Sequence, residues 1–291
     1  MFFLLWSLVS RNNKVFLRNK ILVFFSLLSV FILIGVYAIF LQKLQVNSIE
    51  QYVPVSPAIE VLVSEWMVAG LLSIIAMTTT LATFGIYIRD IESKITSDFL
   101  VTDASRFKIQ LSYVMSSFII GFVMTFIGFI CCEIFIVSIG GTILSAIAML
   151  KVIGILILAV LMSSMINLFI VLFVNTETAF STVNTIIGTL LGFLCGIYVP
   201  MAALPSSVQS VIHFFPVSHI TVLLRNAFMT ESLDKVFAGN MEYAQNYMLD
   251  FGVIYEINGS ILSGTMSTLF IVGTILLLAF LSAIIFLKKH K

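Results

Sequence analysis

Charge is scarce in this sequence: 15 Lys and Arg and 14 Asp and Glu among 291 residues, 10% in all. A soluble domain carries about 25%. Here 60% of the residues are hydrophobic and the mean hydropathy is +1.15. Those proportions exclude a soluble globular domain and indicate an integral membrane protein. Cysteine is nearly absent too. Cys131, Cys132 and Cys195 lie in apolar runs without CxxC spacing, which excludes a disulfide framework or thiolate zinc site and leaves them as small hydrophobes. Of the three histidines, His213 and His219 are six apart, about 240° around a helix, and so share no ligand face. Neither a phosphate loop (GxxxxGK followed by Ser or Thr) nor an HExxH motif occurs. The chain is therefore not expected to hydrolyse nucleotide or to be an enzyme, and no metal or cofactor is expected within it.

What charge there is divides the chain. Uncharged runs lie at 21–42, 66–88, 109–132, 152–176, 178–224 and 257–287. About 20 apolar residues cross a bilayer as a helix, so each run supplies a span. The fifth run is 47 residues long but holds Pro200, Pro205 and Pro216, and proline interrupts helix interiors. It is read as one span followed by a broken stretch. The reading is a single all-α membrane domain over 1–291 with six spans, at 21–42, 66–88, 109–133, 152–175, 178–198 and 265–287.

The basic residues set the orientation. With the N-terminus cytoplasmic, the inside segments carry eleven of the 15 Lys and Arg against five acids, a net of +6, and the outside segments a net of −5. Cytoplasmic loops concentrate Lys and Arg, so both termini are expected inside. The first 19 residues join a short apolar stretch to "RNNKVFLRNK". The charge follows the apolar part, the reverse of a secretory signal. The pattern predicts a helix lying in the inner interface, Trp6 at headgroup depth and Arg11, Lys14 and Arg18 facing anionic lipid.

The inside loop "IRDIESKITSDFLVTDASRFKIQLSYV" alternates four basic and four acidic residues with apolar ones. Ile91, Ile95 and Phe99 are four apart and share one helix face. Such a helix can float on the membrane or dock into a soluble partner, and its mixed charge favours docking. Polar uncharged residues lie within the spans: Thr78, Thr79, Thr80 and Thr83 in the second, Ser163, Ser164 and Asn167 in the fourth, and Ser181, Thr182, Asn184, Thr185 and Thr189 in the fifth. They serve as interhelical glue or line a polar path; Thr79, Thr83, Asn184 and Thr185 are the candidate path residues. Glu133 and Lys151 are read as a pair on the outer rim.

The broken stretch carries the most specific pattern. "GIYVPMAALPSSVQSVIHFFPVSHITVLLRNAF" resembles the membrane subunits of ABC-2-type bacterial exporters, matching that family's Gly and Pro after the fifth helix, a second Pro, a third Pro and a later Arg at Gly196, Pro200, Pro205, Pro216 and Arg225. The inside loop resembles the family's coupling region, with Leu100 to Thr102 as its core and Asp103 where the family has Pro. The resemblance implies a coupling segment at 89–108 that docks a separate ATPase through Arg89, Asp90, Glu92, Lys94, Phe99 and Arg106. It implies two re-entrant helices at about 200–228 and an extracellular cap at 229–256. Pro200 would end the fifth helix, and Pro200, Pro205, His213, Pro216 and Arg225 become candidates for an outer gate.

It further implies a multi-pass permease of the bacterial plasma membrane, pairing with a second permease subunit, most simply as a homodimer with a heterodimer as the alternative, and with two copies of an ABC ATP-binding subunit that holds ATP and Mg. The expected cargo is lipophilic or amphipathic: a drug, lipid-like toxin or peptide. Membrane lipid is a partner and nucleic acid is not. The glycosylation-like "NGS" at Asn258 is discounted in a bacterial chain. An ATP-independent secondary transporter or a polytopic membrane enzyme is the alternative, although no ionisable group is evident at mid-membrane.

Overall fold

The computed structural model describes residues 2–37, 39, 42, 46, 56–101, 104–237, 240–257 and 259–289. Thr102, Asp103, Asn258 and the end of the first predicted span lie outside the described residues. The chain is helical almost throughout: α1 Phe2–Arg18, α2 Lys20–Val36, α3 Pro57–Glu92, α4 Ile95–Leu100, α5 Arg106–Ser138, α6 Ala146–Val171 and α7 Glu177–Leu194. A 3-10 turn at Met201–Ala203 then leads to α8 Ser206–Phe214, α9 Pro216–Phe237, α10 Met241–Asp250 and α11 Gly264–Lys289. A two-stranded hairpin, β1 Glu256–Ile257 with β2 Ser260–Ile261, precedes α11 and had no sequence expectation.

Four described helices are long and apolar enough to cross a membrane: α3, α5, α6 and, over Gly264–Phe286, α11. The pair α8 and α9, bent by 86°, is a fifth candidate as a broken span or re-entrant loop. α2 has 17 residues and α7 has 18; α7 is shorter than the predicted 178–198 and polar along one face. A multi-pass helical membrane protein follows directly.

α3 is the axis of the bundle. Its 36 residues reach about 54 Å, well beyond a hydrocarbon core of about 30 Å. Pro57 starts it at a position where the missing N–H has no cost. α5, α6, α7 and α9 surround it, so its apolar residues from Leu62 to Met77 are buried on all sides. α11 lies outermost against α6 and α9, with Leu276 and Phe280 exposed where lipid would be.

Between helices in lipid, apolar burial supplies little attraction, so close packing and hydrogen bonds hold the bundle. A Cβ added at Gly121 would lie 2.5 Å from Thr80 Cγ2, and one at Gly128 would lie 2.9 Å from Ile75. The backbone of α5 therefore lies directly against side chains of α3. Beside this contact, Asn167 Nδ2 donates to Met77 O (3.0 Å) and to Thr80 Oγ1 (2.8 Å), and Ser117 Oγ donates to Thr80 O (3.2 Å). Ser117 also meets Ser164 Oγ at 3.3 Å. Asn167 thus binds α6 to α3 and faces protein. Gly121→Leu is expected to destabilise the bundle by about 1–3 kcal/mol through overpacking, read as earlier thermal aggregation of the detergent-purified protein, whereas Gly154→Ala, with nothing within 4 Å of the added carbon, should leave it unchanged.

Candidate functional site

The cytoplasmic end of α3 carries the first set of predicted residues, and the structure divides them. Arg89 to Glu92 belong to α3, and Lys94 stops that helix in the left-handed region at φ 62°. Ile91 is thereby cut off from Ile95 and Phe99, so the single amphipathic helix expected over these positions is corrected to the end of α3 plus a six-residue α4. Asp90 is not a docking residue either. It is buried, paired by Arg11 through two N–H bonds (Nη2 to Oδ1 at 3.0 Å, Nη1 to Oδ2) and by the hydroxyl of Tyr113, which donates to Oδ2 at 2.6 Å. The Arg11 guanidinium also sits 5.4 Å from the centre of the Phe99 ring.

One carboxylate therefore joins α1, α3, α4 and α5. The hydrogen bond to Asp90 raises the Arg11 pKa above its ordinary value, so the guanidinium stays charged. Arg11 is turned to protein, which corrects its expected place against lipid; Trp6 on the same helix is exposed. The exposed charged residues of the segment are Arg89, Glu92, Lys94, Asp98 and Arg106, with Val101 at 89% exposure and Phe107 at 63% among them. Val101 lies inside the Leu100 to Thr102 core but was not singled out, because the apolar run of Phe99, Leu100 and Val101 does not show which side chain is left exposed.

This segment also holds the start of α7. Glu92 Oε2 accepts from the Glu177 backbone N–H at 2.7 Å, a carboxylate on a helix N-terminus. Arg89 Nε donates to Glu177 Oε1 at 3.1 Å, both side chains being about half exposed. From there α7 packs Phe180, Val183, Ile187, Leu191, Gly192 and Leu194 inward. Its other face, with Ser181, Thr182, Asn184, Thr185 and Thr189, is exposed. The hydroxyls of Thr182, Thr185 and Thr189 donate to the carbonyls four residues back. Asn184 makes no hydrogen bond to a described residue. Thr79 and Thr83, by contrast, are buried at 2% exposure each and bonded within α3. The structure does not bring the four candidate path residues onto one surface.

At its outer end α7 stops at Leu194, four residues short of the predicted end. Gly196 adopts φ 61°, its N–H bonding Phe193 O (3.0 Å) and the Ile197 N–H bonding Gly192 O (2.9 Å). This is a Schellman stop made by glycine, which replaces the stop expected at Pro200. α10 ends the same way: Gly252 at φ 62°, its N–H on Leu249 O (3.1 Å) and the Val253 N–H on Met248 O (2.7 Å).

Arg225, on α9, takes both ends in its fork. Nη2 donates to Cys195 O (3.1 Å) and Gly196 O (2.9 Å), and Nη1 to Phe251 O (3.1 Å) and Gly252 O (3.0 Å). It is 2% exposed, stacks on the Trp66 ring at 4.4 Å and meets no carboxylate among the described residues. Two helix C-termini, each with a partial negative charge, stand in for the counter-ion. Trp66 Nε1 donates to Phe251 O as well, at 2.6 Å.

The prolines mark starts. Pro200 precedes the 3-10 turn, Pro205 precedes α8 and Pro216 is the first residue of α9. His213 sits on α8 against the Tyr255 ring at 4.7 Å, and its carbonyl accepts from His219 Nε2 at 2.8 Å. That fixes the proton of His219 on Nε2 and leaves Nδ1 to accept from Ser267 at 3.2 Å. The predicted Glu133–Lys151 pair does not form; Glu133 Oε2 instead accepts from the Leu144 N–H at 3.4 Å. Compared with known proteins, the chain matches the model of one family over residues 3–229, and that family is described as ABC-2 type transporter. None of the curated proteins matches it.

Proposed function

The chain belongs to the ABC-2 type transporter family, and on that premise we propose that it is the permease subunit of an ATP-driven exporter in a bacterial plasma membrane. Permeases of this family typically work with an ATP-binding subunit. In this reading two permeases, as a homodimer, stand side by side with their α7 helices towards each other, giving six spans per protomer. Two ATPase subunits holding ATP and Mg dock beneath, and an amphipathic or lipophilic cargo passes between the protomers. The permease itself performs no hydrolysis.

The observation that carries this reading is Asn184 on the exposed face of α7. An amide facing hydrocarbon without a partner costs several kcal/mol. The helix is therefore expected to turn that face to protein or to a water-filled path, and not to lipid. The hydroxyls of Thr182, Thr185 and Thr189 beside it already satisfy themselves within α7, so they tolerate both an aqueous and an apolar cargo. The cytoplasmic contacts support a drive for this helix. A partner seated on Val101 and Phe107 grips the segment that holds Glu177, the first residue of α7, through Arg89 and Glu92. Movement of that segment is transmitted along a rigid helix of about 27 Å to the clasp at Arg225.

Co-expression with the candidate cassette ATPase tests the docking surface. The wild-type chain should co-purify the ATPase, and Val101→Asp with Phe107→Asp should lower recovery by roughly tenfold without changing the elution profile of the permease alone. Equal recovery with the double variant would remove this surface as the docking site. Absence of any ATPase with the wild type would favour the ATP-independent transporter.

A further inference from the structure

We infer that the cleft between α6, α9 and α11 holds an ethanolamine phospholipid, its phosphate on Lys151 and its ammonium on Glu231. The cleft has a volume of about 1130 Å³ and lies at the end of the bundle read as outer. A drug-sized ligand needs about 300–1,000 Å³, so there is room for a two-chain lipid. Ile155, Leu158 and Leu223 give an apolar wall. Gly154 leaves space beside them, since a Cβ added there meets nothing within 4 Å. The cleft is also open sideways: Ile147 and Leu269 line it and are 71% and 67% exposed. Leu269, Leu276 and Phe280 are spaced by seven and four, so they share one face of α11. That face is the one turned to lipid. Hydrocarbon chains therefore reach the cleft from the bilayer without crossing its aqueous end.

Of the charged side chains bordering the cleft, the exposed ones are Lys151 on α6 and Glu231 on α9, one of each sign. They make no ion pair with each other. Nor does either pair with another described residue, Glu133 and Lys235 included. A zwitterionic head group answers both at once. Its phosphate meets the lysine, as lipid phosphates meet basic pockets between membrane helices, and its ammonium meets the glutamate in a charge-assisted hydrogen bond. The kind of head group matters. An ethanolamine ammonium donates N–H to a carboxylate, a choline group has no N–H to donate, and a glycerol group carries no positive charge. The site needs no ATPase, so it stands or falls apart from the exporter reading.

Native mass spectrometry of the full chain in detergent tests it, with dioleoylphosphatidylethanolamine, dioleoylphosphatidylcholine and dioleoylphosphatidylglycerol as probes. The ethanolamine lipid should bind about fivefold tighter than either of the others, the scale of a charge pair at an exposed rim. Glu231→Gln should bring it down to the level of the choline lipid. Lys151→Gln should weaken all three, because all carry the phosphate. Both positions are exposed, so neither substitution is expected to disturb the fold. Gly154→Leu should weaken all three as well, by filling the cleft. Equal binding of the three lipids by the wild type, or a preference for the choline or glycerol lipid, overturns the proposal. So does an ethanolamine preference unchanged in Glu231→Gln, or binding unchanged in Lys151→Gln or Gly154→Leu.

Discussion

Arg225→Met is expected to cost on the order of 4 kcal/mol and to release the outer end of the bundle. The methionine fills much of the arginine's volume but leaves three buried carbonyls, at Cys195, Gly196 and Gly252, without a donor, while Phe251 O keeps Trp66 Nε1. Each unsatisfied buried acceptor costs about 1–3 kcal/mol, although relaxation and water entry keep the sum below the simple total. Thermal unfolding in detergent, followed by size-exclusion chromatography, reads the loss. Arg225→Lys should recover only part of it, because one ammonium cannot reach two helix ends as a planar fork does. Gly196→Ala and Gly252→Ala should each cost about 1–2 kcal/mol, since alanine is strained at positive φ. If Arg225→Met were as stable as either alanine variant, the clasp would be a minor contact and not the joint between α7, α9 and α10.

The second large effect lies at the opposite end. Arg11→Ala leaves Asp90 buried with the Tyr113 hydroxyl as its remaining side-chain partner. Removing one partner of a buried ion pair costs about 3–5 kcal/mol, and removing both costs less. Arg11→Ala should therefore detach α1 from the bundle and expose it to limited proteolysis, while the double variant Arg11→Ala/Asp90→Ala should be protected again. The exposed pair Arg89–Glu177 offers a contrast: Arg89→Ala should change stability by less than about 1 kcal/mol. A double Arg11 and Asp90 variant no better than the single one would show that the two side chains act independently.

The divisions of the chain were legible because long helices in lipid need apolar runs, and because Lys and Arg mark the cytoplasmic ends. α3, α5, α6 and α11 follow from those rules alone. The sites were less legible, and for identifiable reasons. In the run "IRDIESK" nothing local distinguishes a buried acid from an exposed one; the partner of Asp90 is 79 residues away on α1. The prolines between Tyr198 and Pro216 drew the end of the fifth helix towards Pro200, but Gly196 makes the stop.

Arg225 was placed near an outer gate because its sequence neighbours are the re-entrant helices. Its actual partners are backbone carbonyls, and these carry no side-chain signature in a sequence. Asn167 and Asn184 looked alike as amides in apolar runs. Packing separates them, since the Asn167 amide finds acceptors at Met77 and Thr80 on α3, while Asn184 is left on the surface.

The proposed permease stands on that surface: the polar face of α7 is expected to meet a water-filled path and not lipid. Substituted-cysteine labelling tests it most directly, in a chain whose Cys131, Cys132 and Cys195 have been replaced. Ser181→Cys, Asn184→Cys and Thr185→Cys are introduced singly, with Leu276→Cys, exposed at 65% on α11, as the lipid-facing control. The account predicts that a charged, water-soluble maleimide labels the three α7 positions in membranes and leaves position 276 unlabelled. Labelling of the α7 positions only by a lipophilic maleimide, at the rate of the α11 control, would contradict it.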